Sequence, residues 1–118
     1  MSTNFSQPPC VSLEENLKKA LTELLLLHLL SQKPYYVGEL TEALKQQSRD
    51  VLKLVFPYSA IYRLQKEGYI VDDGKRIAQD GRKRQFYRIS EDGQTYYREM
   101  LATYRRFMGG IDLVLNTP

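Results

Sequence analysis

The stretch Leu24-Leu-Leu-Leu-His-Leu-Leu30 constrains this chain more than any other feature. It lies in a longer helical pattern in which Leu13, Leu17, Leu21, Leu24 and His28 recur at spacings of four or three along one stripe. From Leu24 to Leu30, however, the helix is apolar all round. Such a helix must be covered on every side, which we expect its own core and a second chain to do. The run is far too short to cross a bilayer, and His28 interrupts it. With 118 residues the chain suits one small domain whose apolar surface a partner subunit can help to cover.

Around that helix the pattern divides readily. Residues 1–11 are polar, carry Pro8-Pro9, and read as a flexible arm with neither a basic start nor an apolar run of the secretory kind. Ser12 and Glu15 have capping-box spacing, so the first helix is expected from there to about Ser31, with Lys33-Pro34 ending it. A second helix follows over Val37–Gln47. A third is expected from about Val55 to Glu67, with Pro57 in its first turn and Gly68 as a left-handed cap. Tyr69-Ile70-Val71 begins a strand and Gln85–Ile89 returns it, with Gly74 and Gly81 between them. Ser90 caps a last helix running from Glu91 towards Leu115, with Gly109-Gly110 as the place where it could break.

Three helices, a hairpin and a helix make a mainly α fold with a small β-hairpin, in the order of a winged helix-turn-helix. The expected division is an arm over 1–11, a DNA-binding domain over 12–90, and a dimerisation helix and tail over 91–118.

Charge supports the same division. Net charge is +3, yet Arg63 to Arg88 holds eight bases against four acids, so all the excess positive charge sits in that quarter of the chain. On the third helix Ala60, Ile61 and Leu64 share an inner face. Tyr58, Ser59, Tyr62, Arg63 and Lys66 share the outer one, which has hydroxyls and cations but no acid and suits a major groove. Arg82, Lys83 and Arg84 follow Gly81 at or near the hairpin tip, where they can reach phosphates or the minor groove. Tyr35 and Tyr36, before the second helix, could donate to phosphates or equally be packed.

Catalysis is not expected. The one histidine sits among leucines, no Cys-His set has metal spacing, and no phosphate-loop or nucleophile-elbow pattern occurs. No metal or cofactor is expected. A single cysteine, Cys10, points to a reducing, cytoplasmic setting.

Four stretches resemble the PadR-like transcriptional regulators: Leu24–Ser31, Val37-Gly-Glu-Leu40, Tyr58–Ile70 and Gly81–Gly93. The third is similar to that family's Tyr-x-x-Leu-x-x-Leu-x-x-x-Gly-x-Ile segment, and the fourth to its wing. The likeness spans about residues 20–115 and implies a dimeric repressor of transcription on double-stranded DNA. Val37-Gly38 and Phe56-Pro57 depart from the family's usual residues. The chain has no Trp, so stacking of an aromatic effector on tryptophan between subunits is not implied.

Dimerisation is expected through Leu17, Leu21, Leu24 and His28 of the first helix. They would meet Tyr97, Leu101, Tyr104, Met108, Ile111 and Leu115 of the last, which recur at spacings of four and three. A two-fold dimer calls for a pseudo-palindromic operator. The competing reading is a protein-interaction adaptor or ligand-sensing dimer on the same scaffold without DNA readout, and no effector can be named.

Overall fold

The structure is a computed structural model and describes residues 10–118; the expected flexible arm falls mostly outside the described residues. Six elements follow one another: α1 (Val11–Gln32), α2 (Val37–Gln47), α3 (Tyr58–Lys66), β1 (Ile70–Ile77), β2 (Lys83–Ile89) and α4 (Glu91–Leu115). This is the winged helix-turn-helix order.

The apolar run of α1 is the centre of the core. Leu26, Leu27, Leu29 and Leu30 are at most 3% exposed and Leu24 is buried too, covered by α2, α3, β2 and α4 of the same chain. Burying one such side chain contributes about 1.5–3 kcal/mol. A single chain therefore covers most of this apolar run. Only the side carrying Leu25 and His28 stays partly open.

The first helix starts one residue earlier than Ser12. Cys10 is extended (φ −80°, ψ 102°) and its carbonyl accepts from the Glu14 amide at 3.0 Å. Ser12 therefore lies inside the first turn and cannot cap, and Glu15 pairs with Lys18 at 3.2 Å instead. The third helix starts later than Val55. Pro57 is its N-cap, and residues 51–56 are irregular chain in which Leu52, Leu54 and Phe56 turn inward while Val51 and Val55 turn out. Phe56 is 1% exposed, so it anchors the approach to α3 as a core residue.

Gly68 adopts φ +81°, and the Tyr69 amide donates back to the Leu64 carbonyl at 2.9 Å, which closes α3 as expected. β1 and β2 pair antiparallel from Ile70↔Ile89 to Ile77↔Lys83, with a bulge between Asp72 and Lys75 where Gly74 takes φ +86°. Ser90 caps α4 by accepting from the Gly93 amide at 3.0 Å. Gly93 is required there, because a Cβ would fall 2.0 Å from the Tyr69 carbonyl oxygen. α4 then runs unbroken through Gly109-Gly110 to Leu115, and its last turns project beyond the body.

Candidate nucleic-acid interface

On α3, Ile61 and Leu64 are 2% and 0% exposed and fix which side faces the core. At 100° per residue the opposite direction passes between Ser59 and Lys66, with Tyr62 on one flank and Arg63 on the other. All four are exposed, and Tyr58 at the start of the helix is 70% exposed. The outer stripe expected from the sequence is therefore open to solvent. Tyr58 and Tyr36 both lie near enough to the Arg84 guanidinium to help raise its pKa, after the larger effect of Asp80. The start of α3 thus stands beside the wing.

Arg63 does not project freely. Its Nε and Nη2 both donate to the Glu23 carboxylate of α1. That contact, with a smaller one from Tyr96 of α4, holds the guanidinium's pKa above its ordinary value. Nothing local in sequence signals the pair, because the two residues are 40 positions apart.

The wing differs from its expected form in where the basic residues sit. The turn is Ala78–Arg82, closed by the Ala78 amide donating to the Arg82 carbonyl at 2.9 Å, with Gly81 at φ +81°. Arg82 is in the turn, but Lys83 and Arg84 already belong to β2, opposite Ile77 and Arg76. Arg84 donates to Asp80 at 2.6 Å, and this bond, with the Arg82 amide, keeps the Asp80 carboxyl below its usual range. Asp73 holds both Arg76, at 3.2 Å, and Arg88, at 3.4 Å. Arg76 also lies 3.8 Å from the centre of the Phe86 ring.

Carboxylates thus claim four of the eight bases between Arg63 and Arg88. Among the described residues, Lys66, Lys75, Arg82 and Lys83 have no acidic partner. Lys75, on the wing's other strand, was not singled out from the sequence, although its place in the basic segment was visible.

The two tyrosines before α2 separate. Tyr35 is 7% exposed and exchanges backbone hydrogen bonds with Tyr87 at 3.2 and 2.9 Å, which adds a bridge to the edge of β2. Its hydroxyl donates to Gln32, and the Lys33 ammonium lies over its ring. The expectation that Tyr35 reaches phosphates is therefore corrected: its ring is in the core. Tyr36 is half-buried, edge-on to Phe86 at 5.4 Å and beneath Arg84 at 5.5 Å, so it belongs with the wing.

The residues assigned to dimerisation divide as well. Leu17, Leu21, Leu24, His28, Tyr97, Leu101 and Tyr104 line one apolar groove of about 450 Å³, together with Leu44, Leu52 and Leu54. Within it the His28 Nδ1 and the Tyr97 hydroxyl are 2.6 Å apart. Leu24 and Tyr97, at 7% and 9% exposure, are already covered by their own chain, which corrects their assignment to a seam between chains. Met108 is half-buried, while Ile111 and Leu115 lie outside the groove on the projecting end of α4, 36% and 73% exposed.

No set of His, Cys, Asp or Glu among the described residues is arranged to hold a metal ion. None of the helices there is long and apolar enough to cross a membrane.

Three core helices, a two-stranded wing and a long terminal helix define a winged helix-turn-helix protein with a basic outer face. Residues 26–99 match the transcriptional regulator PadR-like family. The chain belongs to that family of transcriptional regulators. It is similar in structure to a PadR-like transcriptional regulator from Bacillus cereus, with 22% identity, a TM-score of 0.72, and coverage of 87% of this chain and 99% of that one. A PadR family transcriptional regulator from Eggerthella lenta gives 20% identity and a TM-score of 0.71 over 92% and 93% of the two chains. A Streptococcus transcriptional regulator gives 22% and 0.70 over 85% and 97%. At these identities the likeness speaks for the fold alone. Comparison with curated proteins finds no match.

Proposed function

We propose that this regulator is a homodimeric repressor that binds double-stranded DNA, reading the major groove with α3 and holding the backbone or minor groove with its wing. One observation carries the reading: beside the exposed outer side of α3, that helix and the wing present four cations that no carboxylate holds among the described residues, Lys66, Lys75, Arg82 and Lys83. The exposed hydroxyls of Tyr58, Ser59 and Tyr62 share the outer side of α3 with Lys66. Cations set the register on phosphates, while hydroxyls and a guanidinium read base edges.

Dimerisation is supported by apolar surface that one protomer leaves open. Leu13 and Leu17 on α1 are 56% and 41% exposed, and Phe107, Val114 and Leu115 on α4 are more than 60% exposed. A two-fold axis through these helices would set two copies of α3 about 34 Å apart, or a multiple of that, on one face of the duplex. The test is selection of bound fragments from the source genome. The reading predicts a recurring pseudo-palindrome with half-sites about one helical turn apart. Recovery of unrelated fragments in bulk proportion would overturn it.

A further inference from the structure

The outer face of α3 carries two cations, and the structure treats them differently. Lys66 has no acidic partner among the described residues. Arg63 is held along one edge by both oxygens of Glu23, which α1 supplies from 40 positions away. The pair is not deep: the Arg63 side chain is 47% exposed and that of Glu23 24%. With half of the Arg63 side chain still in solvent, the consequence of the pair lies in what it leaves available.

A guanidinium has five N–H groups. Glu23 takes two, one on Nε and one on Nη2. Those that remain are enough for one bidentate contact with a base edge. At the same time the carboxylate offsets the positive charge that would draw Arg63 to any phosphate.

We propose that Glu23 is a positioning residue that determines specificity: by gripping one edge of Arg63 and offsetting its charge, it makes Arg63 a directional base reader rather than a general phosphate contact. The inference rests on the DNA-binding reading above. On that reading, Lys66 anchors the helix on the backbone while Arg63 contributes on the correct sequence alone. Tyr96 of α4 is stacked on Tyr69 at 4.3 Å between ring centres, which fixes the residue before the wing against α4.

The test uses the full chain with Glu23→Gln, Glu23→Asp, Arg63→Ala and the double variant Glu23→Gln/Arg63→Ala. Each is titrated by fluorescence anisotropy, over a salt series, against a selected genomic fragment and a scrambled duplex of equal composition. Glu23→Gln should tighten binding to the scrambled duplex about fivefold per bound protomer and steepen its log–log salt slope by about one per protomer, as one more cation reaches phosphate. The selected fragment should change less, so discrimination falls. Glu23→Asp, which keeps the charge, should retain the wild-type slope. In the Arg63→Ala background, Glu23→Gln should leave discrimination between the two duplexes unchanged. If Glu23→Gln leaves both slope and discrimination unchanged and only lowers thermal stability, Glu23 is a structural tie and the proposal is wrong. If it weakens both duplexes equally, the proposal is also wrong. Should wild-type protein bind neither duplex in a salt-dependent way, the DNA reading itself fails and takes the proposal with it, a result distinct from the other two.

Discussion

At the scale of single residues, what matters is which polar groups are already occupied. Tyr35 and Tyr36 are adjacent in sequence, yet one completes a backbone bridge to Tyr87 inside the core and the other rests against the wing. Tyr35→Phe should therefore leave DNA affinity unchanged. Tyr58→Phe, which removes an exposed hydroxyl at the start of α3, should weaken binding to a selected site by about 1 kcal/mol, or roughly fivefold. Anisotropy titrations of the two variants check both. The outer residues of α3 were legible because helical periodicity separates Ile61 and Leu64 from Tyr58, Tyr62, Arg63 and Lys66. The fate of Arg63 was not, because its partner comes from another helix. Nor could the sequence divide Tyr35 from Tyr36, since the difference between them is a tertiary pairing with β2.

At the scale of elements, order and type were legible while the starts of two helices were not. Ser12 with Glu15 has the spacing of a capping box, but the Cys10 carbonyl takes the first helical bond and Ser12 is left within the turn. Before α3, the alternation of Leu52, Leu54 and Phe56 is the available sign of extended chain, and it prevails over the helical expectation at Val55. The wing shows the same limit on charge. Asp80 and Arg84 flank a glycine turn at a spacing of four, and their pairing removes one cation from the basic triplet. Replacing Arg82, Lys83 and Arg84 together by Ala should therefore lower the salt slope on a half-site duplex by about two rather than three. An unchanged slope in folded protein would mean that the wing does not touch the backbone.

At the scale of the whole molecule, two surfaces divide the work. The body buries the leucine run of α1 almost entirely within one chain, so a partner is not needed to form the core. What remains uncovered is the projecting end of α4 and the outer face of early α1. Ile111→Glu with Leu115→Glu touches no buried residue and should give folded monomers by sedimentation, with binding to a full two-half-site duplex lost and weak half-site binding kept. A dimer surviving both changes would place the interface elsewhere. The most direct test of the central claim is the salt dependence of wild-type binding to a selected two-half-site duplex. Four free cations on each of two protomers predict a log–log slope of about −7, and half that on a half-site. A slope near zero would contradict the account, because binding would then owe nothing to the cations that α3 and the wing leave free.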